Sequence, residues 1–271
     1  MIREFFHHRL QPQATMDGLM QAARASTPDW TPSTPLSDIR NAHVTNTPAE
    51  METALRGDAN CLEADVRLAG DVRPMPGYRN RPVIAAHWDW DTHGLTLPEW
   101  LKVGSASGRM LKLDFKSAAA IRPALKDLKA SGIPGERLML NGGIDLRRGT
   151  SPLGIAMSVH NLFFASHTSV GILQEMRRAY PSALIALSPS HQPRAERDYR
   201  KISDCATAVG GPLTFPLAAS MVDEEVVRRL KPYGSVSVYA SEGSFKVTDV
   251  AKDTEHFRRM GVDGVIDLAQ H

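Results

Sequence analysis

Glu63 and Asp65 stand two residues apart in a largely apolar stretch, residues 61–68, that reads Cys-Leu-Glu-Ala-Asp-Val-Arg-Leu. Alternate residues of a β-strand share a face, so both carboxylates are expected to project together from one strand. Two like charges in a partly dry site repel each other, and a divalent cation, a basic side chain or a shared proton must neutralise them. Of these three, we favour a divalent cation.

Further side chains suited to catalysis or ligation lie at or just after the ends of predicted strands. They are His43 on the first strand, His87 after the second, Asp114 and Lys116 on the third, and Asn141 on the fourth. Asp114 would add a third hard oxygen ligand for Mg²⁺ or Ca²⁺. His43 and His87 titrate near neutral pH and suit an acid and base pair. Lys116 offers a positive charge to an anionic substrate.

The order of predicted elements favours a (β/α)8 barrel of the α/β class. Eight strands are predicted to begin near Ile39, Cys61, Met110, Leu138, Leu184, Leu213, Ser235 and Gly264, most of them followed by a helix. Eight such units in 271 residues indicate a closed barrel, whose active residues sit at the carboxyl ends of the strands. An open, doubly wound sheet is the alternative.

Local signals predict the position of several helices and one boundary. Helices are expected over Met16 to Ala25, from the Thr47 cap and Pro48 to about Arg56, and near Arg194 to Ser203. Prolines between residues 28 and 35 exclude regular structure there. We therefore assign residues 1–37 to an amino-terminal extension and residues 38–271 to the barrel.

Composition narrows the class of protein. With 42% hydrophobic and 23% charged residues the chain is an ordinary globular protein, and its net charge of +2 indicates neither a nucleic-acid nor a membrane partner. No stretch approaches the roughly 20 apolar residues of a membrane span, and the amino terminus lacks a signal-peptide pattern. Cys61 and Cys205 form no motif. We expect a cytoplasmic protein with a small-molecule substrate; the oligomeric state stays open.

The motifs together resemble the phospholipase-C-like phosphodiesterase superfamily. They are His43-Val44-Thr45-Asn46, Glu63-Ala64-Asp65, His87, Leu113-Asp114-Phe115-Lys116 and, near the end, Gly261-Val262-Asp263-Gly264. Glycerophosphodiester phosphodiesterases and spider-venom sphingomyelinase D enzymes have a His, a Glu-x-Asp, a second His and an acidic-x-Lys pair in this order. The stretches between the motifs are also similar to the menorin family, and agrocinopine phosphodiesterase is a further relative. The residues do not rank these branches.

The resemblance implies roles for individual residues. Glu63, Asp65 and Asp114 would hold the divalent metal ion, and His43 and His87 would transfer protons. Lys116, Asn141 and Tyr239 are the candidate substrate contacts. A metal would offset the charge of the phosphodiester oxygens in the transition state, while one His activates the attacking oxygen and the other protonates the leaving alkoxide. Whether the product is a linear or a cyclic phosphate stays open.

Two departures from the family pattern bear on the substrate. Val44-Thr45 replaces the Arg-Gly that usually follows the first His, so Arg73, Arg79 or Arg81 is needed to supply an arginine contact. Tyr239 replaces a Trp, which argues against a lipid or choline pocket. We expect a metal-dependent phosphodiesterase acting on a small soluble diester of glycerol or a sugar. The alternatives are a non-catalytic, menorin-like interaction protein and a phospholipase D-type lyase acting on lysolipids.

Overall fold

Parallel strands alternate with helices through the described chain. The computed structural model describes residues 14–68, 82–84, 94–146, 168–240 and 245–268. The strands are β1 (Asn41–Ala42), β2 (Cys61–Leu68), β3 (Pro82–Ile84), β4 (Met110–Phe115), β5 (Leu138–Ile144), β6 (Leu184–Pro189), β7 (Leu213–Ala218), β8 (Ser235–Tyr239) and β9 (Ile266–Asp267). The helices are α1 (Met16–Ala25), α2 (Pro48–Arg56), α3 (Leu97–Ser107), α4 (Ala118–Ser131), α5 (Val170–Ala179), α6 (Glu196–Val209), α7 (Glu224–Leu230) and α8 (Val250–Arg259).

Eight of these strands form a nearly closed parallel barrel. They follow one another in the order β1-β2-β4-β5-β6-β7-β8-β9, and β3 pairs antiparallel with β2 beside this path. The remaining seam lies between β1 and β9. A side-chain hydrogen bond spans it, in which Asn41 on β1 donates from Nδ2 to Asp267 Oδ2 on β9 at 2.9 Å. The predicted (β/α)8 barrel is therefore confirmed. The short strand β3 was not predicted.

Capping residues set the helix ends. At α2 the Thr47 side chain accepts the Glu50 N–H at 3.3 Å, and the Glu50 carboxylate accepts the Thr47 N–H at 2.8 Å. The sequence predicted the cap at Thr47 but not the bond to the Glu50 carboxylate. Helix α6 begins later and ends later than predicted. The Asp198 carboxylate accepts the N–H groups of Arg194 and Ala195, the two residues before the helix, and the helix continues until Gly210, whose φ is +61°. None of the helices in the described part of the chain combines the length and apolar character needed to cross a bilayer.

The barrel interior has an apolar floor. A buried cluster is formed by Ile39, Cys61, Met110, Met139, Ala186 and Val265, and Trp30 and Leu36 pack against it. These residues lie at or near the starts of their strands, whereas the opposite strand faces pack outward against the helices. Because alternate residues share a face, the side chains that follow Cys61 and Met110 by two and four positions also point into the barrel. They are the charged residues of the candidate site.

Helix α1 shares the core of the barrel. Its Leu19 and Ala23 are fully buried, and the helix packs on α2 and α3. Ser26, just after the helix, donates from Oγ to the Ser107 carbonyl at 3.2 Å. The boundary at residue 37 stays a prediction.

Arg109 joins the end of α2 to the start of β4. Its Nε donates to the Ala59 carbonyl at 2.7 Å, and its Nη2 donates to the carbonyls of Leu55 at 2.9 Å and Gly57 at 3.3 Å. The last carbonyls of a helix have no partner within the helix, so a donor from elsewhere must satisfy them. Burial lowers the pKa of Arg109, which is 3% exposed. An arginine stays charged under such conditions, and the contact therefore persists.

Replacing Arg109 with Met is expected to lower the free energy of unfolding by about 2 kcal/mol, because its carbonyl partners lose their donor. Urea unfolding followed by circular dichroism measures the change. Arg56→Met is the matched control, since the Arg56 side chain is 72% exposed and pairs with Glu52 in the same helix. Little or no change is expected there, and an equal loss in both variants would contradict the role given to Arg109.

Candidate functional site

The register of β2, β4 and β5 brings the predicted charged residues to neighbouring positions. Glu63 lies opposite Lys112 and Asp65 lies opposite Asp114 across the β2 and β4 pair. Asp114 lies in turn opposite Asn141 across β4 and β5. These positions point into the barrel above the apolar floor, so their side chains meet inside the barrel rather than on its outer surface.

Glu63 and Asp267 enclose the imidazole of His43. The Nδ1 atom of His43 is 3.0 Å from Glu63 Oε2 and 3.4 Å from Asp267 Oδ2. Glu63 Oε2 also receives the ammonium of Lys112 at 2.9 Å and the side-chain amide of Asn41. Three donors thus hold this carboxylate, which is 1% exposed. A buried carboxylate needs such compensation to keep its charge.

Asp65 and Asp114 share the ammonium of Lys116. Lys116 Nζ lies 2.9 Å from Asp65 Oδ1 and 2.5 Å from Asp114 Oδ2. Asn141 donates from Nδ2 to Asp114 Oδ1 at 2.7 Å and accepts the Ser188 hydroxyl at 2.8 Å. Lys116 is therefore a basic side chain that neutralises the paired carboxylates of Asp65 and Asp114.

The turn after β1 is held against β2. Val44 has a φ of +57°, a conformation that is unfavourable for a β-branched residue. Next to it, Thr45 donates to the Glu63 carbonyl from both its N–H and its Oγ1, each at 2.7 Å. The Asn46 side chain bonds Asp65 twice, accepting its N–H at 2.9 Å and donating to Oδ2 at 3.3 Å. These bonds hold the strained turn and so fix the neighbouring imidazole.

Neighbouring charges outweigh burial throughout the cluster. Burial lowers the pKa of His43, but the charge of Glu63 and hydrogen bonds to Asp267 and Glu63 raise it to about 10. Burial raises the pKa of Glu63, and Lys112 and His43 more than reverse this, so that it lies well below its ordinary value. Burial lowers the pKa values of Lys112 and Lys116, and adjacent carboxylates raise both above the ordinary value. At neutral pH, His43 is an imidazolium and Glu63 is ionised.

Tyr239 reaches the same region from β8. It lies opposite Asp267 of β9, and with Asn41 and Lys112 it lines a cavity of about 20 Å³, which is room for one water molecule. Burial raises the pKa of the Tyr239 phenol, and the charge of Asp114 adds to this. The hydroxyl is therefore protonated at neutral pH and is able to donate a hydrogen bond.

The predicted metal ligands do not all come together at one point. Among the described residues, the three whose ligand atoms lie within 4.8 Å of one another are His43, Glu63 and Asp267. The predicted set of Glu63, Asp65 and Asp114 includes two carboxylates bridged by Lys116, and it stays a prediction. The second predicted histidine, His87, lies outside the described residues, as do Arg73, Arg79 and Arg81.

Three site residues were missing from the predicted set. Lys112 precedes Asp114 by two positions on the same strand face, Asn41 precedes His43 by two, and Asp267 ends the last strand. Alternation along a strand is a signal for the first two, and a position at a strand end is a signal for the third. Their contacts depend on strand register and barrel closure, which no local pattern encodes.

Sequence comparisons link the first part of the chain to known proteins. Residues 36–146 match the family model of the menorin N-terminal domain. Protein FAM151B of Homo sapiens is 36% identical over 89 residues, covering 33% of this chain and 30% of that protein. The chain therefore matches less than a third of the length of this relative.

Structure comparisons show the fold. A glycerophosphoryl diester phosphodiesterase from Parabacteroides distasonis has a TM-score of 0.50 at 12% identity, over 94% of this chain and 88% of that one. A 2,3-dimethylmalate lyase of the PEP mutase/isocitrate lyase superfamily has a TM-score of 0.50 at 13% identity, over 95% and 81% of the two chains. Phosphoenolpyruvate phosphomutase from Streptomyces platensis subsp. rosaceus gives 0.50 at 14% identity, over 92% and 79%. These similarities show the (β/α)8 fold, and the sequence similarity to the menorin N-terminal domain covers residues 36–146.

The raised pKa of His43 makes stability depend on pH. Below its ordinary pKa of 6.5 the imidazole is charged in both folded and unfolded chains, and its contribution is complete. Between pH 6.5 and about 10 the unfolded chain loses this proton and the folded protein keeps it. The free energy of unfolding is therefore expected to fall over this window, by at most about 1.4 kcal/mol per pH unit.

Urea unfolding between pH 6 and pH 10.5, in the wild type and in His43→Gln, measures this dependence. Other titrating groups are common to both proteins, so the difference between the two curves isolates the imidazole. The wild type is expected to lose more stability over the window, and parallel curves would contradict the raised pKa.

Proposed function

We propose that the chain is a phosphodiesterase that cleaves a small soluble phosphodiester of glycerol or a sugar, using His43 and His87 and a divalent cation, Mg²⁺ or Ca²⁺. The observation that carries the proposal is the His43 imidazolium, which follows the carboxyl end of β1 and is held by the buried, ionised Glu63. Active residues of (β/α)8 enzymes gather at this end. The resemblance of the motifs to phosphodiesterase barrels supplies the reaction type.

His43 suits the role of general acid. Because its pKa is about 10, it carries a proton at neutral pH that it can give to the leaving alkoxide. Glu63 and Asp267 engage Nδ1, so Nε2 is the nitrogen assigned to the transfer. His87 is assigned the complementary role, activation of the attacking oxygen, from the motif alone.

Lys116 and its neighbours form the proposed contact with the phosphate. The Lys116 ammonium contacts the carboxylates of Asp65 and Asp114. Asp114 also accepts a hydrogen bond from the side-chain amide of Asn141. An ammonium in this position neutralises the carboxylates in the free protein and offers charge to a phosphate oxygen in the complex. The Tyr239 hydroxyl adds a neutral donor on the opposite side of the barrel interior.

The donor chemistry fits a divalent cation. Carboxylate oxygens are among the ligands that Mg²⁺ and Ca²⁺ prefer in proteins. Glu63 belongs both to the predicted set, with Asp65 and Asp114, and to the group with His43 and Asp267. When bound, the ion would supply positive charge to the phosphodiester oxygens in the transition state.

A non-catalytic role is the second candidate. The match of residues 36–146 to the menorin N-terminal domain favours it, as does the neutralisation of Glu63, Asp65 and Asp114 by two lysines. Because these carboxylates and lysines neutralise one another without a ligand, they also suit a structural ion-pair network. Activity measurements separate the two functions.

Removal of the His43 imidazole is expected to lower phosphodiester cleavage by at least about 100-fold, because the general acid is lost. The assay uses bis(p-nitrophenyl) phosphate, glycerophosphodiesters and a sugar phosphodiester with wild type and His43→Ala. His256→Ala is the matched control, since His256 is an exposed histidine on α8. Full activity in His43→Ala would reject the mechanism, and inactivity of the wild type on every diester would favour the non-catalytic role.

Treatment with EDTA is expected to abolish cleavage, and Mg²⁺ or Ca²⁺ is expected to restore it in the wild type but not in Glu63→Gln. Isothermal titration with each cation measures binding directly. Phosphorus NMR of the product identifies a hydrolase by a linear monoester and a lyase by a cyclic phosphate. Activity that survives EDTA, or that persists in Glu63→Gln, would remove the cation from the proposal.

A further inference from the structure

Lys112 is a largely buried cation to which the proposed reaction gives no role. Its side chain is 15% exposed, its Nζ lies 2.9 Å from Glu63 Oε2, and it stands directly opposite Glu63 in the strand register. It also lines the small cavity together with Asn41, Tyr239 and Asp267. A lysine is seldom buried to this extent unless it is paired, so the position requires a physical reason.

We propose that Lys112 is a positioning residue whose ammonium assembles the triad of His43, Glu63 and Asp267 and competes with a divalent cation for the Glu63 carboxylate. The competition rests on the proposed function, since that is what places a cation at Glu63. The assembly of the triad does not depend on it.

The charges of the triad require a further cation. Glu63 and Asp267 contribute two negative charges around one imidazole nitrogen, and His43 compensates at most one of them. Asn41 donates to both carboxylates but brings no charge. A buried, uncompensated charge is strongly unfavourable. With Lys112 the four side chains are neutral as a group, so Glu63 is able to hold the imidazole in place.

The second lysine of this region, Lys116, does not perform this task. It lies four positions after Lys112, just beyond the end of β4, and its ammonium contacts Asp65 and Asp114. Each lysine thus serves its own carboxylates, and the two are at different levels of the barrel. Lys126, an exposed lysine of α4, is the matched control for a general effect of charge.

Competition follows from the position of the ammonium. A divalent cation bound to Glu63 Oε2 would meet a positive charge that lies 2.9 Å from the same oxygen. The charge of the ligand set tunes the affinity of oxygen sites for such ions. Removing the ammonium leaves the triad with a net negative charge and is expected to strengthen cation binding by at least about 10-fold.

The experiment compares Mg²⁺ and Ca²⁺ binding by isothermal titration in the wild type and in Lys112→Met, Lys112→Arg and Lys126→Met, all without substrate. Lys112→Met is expected to bind at least about 10-fold more tightly, and Lys112→Arg at the wild-type level. Equal affinity in Lys112→Met and wild type, an equal gain in Lys126→Met, or no binding in any of the proteins would overturn the competition.

Nitrogen-edited NMR of the imidazole provides a readout of assembly. The hydrogen-bonded Nδ1–H signal of His43 is expected to be present in the wild type, to broaden or vanish in Lys112→Met and to return in Lys112→Arg.

If Lys112→Met fails to fold, the double variant Lys112→Met with Glu63→Gln distinguishes charge compensation from packing. A folded double variant supports charge compensation, and an unfolded one overturns it in favour of simple packing. A wild type that cleaves no phosphodiester would reject the proposed function, but it would not change the expected NMR and folding results.

Discussion

The ionised carboxylate of Glu63 is the constraint on which the site depends. It is 1% exposed, and a carboxylate removed from water keeps its charge only where donors and positive charges replace the solvent. Lys112 from β4, His43 after β1 and Asn41 from β1 provide them. These partners come from separate segments of the chain. The site therefore exists only when the barrel has brought the segments together.

The barrel interior meets this constraint because the inward side chains of β2 and β4 change from apolar to charged along each strand. On β2, Cys61 lies in the apolar floor, Glu63 and Asp65 follow at successive levels, and β4 repeats the sequence with Met110, Lys112 and Asp114. Lys112 lies opposite Glu63, and Lys116, just beyond the end of β4, contacts Asp65 and Asp114. The lower level orients His43, and the upper level presents Lys116. The proposed division between proton transfer and phosphate contact follows from these two levels.

Barrel closure completes the lower level. The match to the menorin N-terminal domain spans residues 36–146 and includes His43, Glu63 and Lys112, whereas Asp267 lies beyond it on the last strand. Asp267 reaches His43 and Asn41 across the seam between β1 and β9. The site thus couples the last strand to the first, and its electrostatics depend on the whole barrel.

The sequence by itself determined the fold class, because eight strand patterns followed by helices in 271 residues leave few arrangements, and it placed Glu63 and Asp65 on one strand face and Asp114 near the end of the next predicted strand. It also indicated that a divalent cation, a basic side chain or a shared proton must neutralise Glu63 and Asp65. Only the tertiary structure decided that Lys112 and Lys116 provide a positive charge at each level and that Asp267 joins His43. Alternation along a strand is a local property that the residues carry themselves. Register between strands and closure of the barrel bring together residues as distant as 41 and 267, and these follow from the packing of the entire chain.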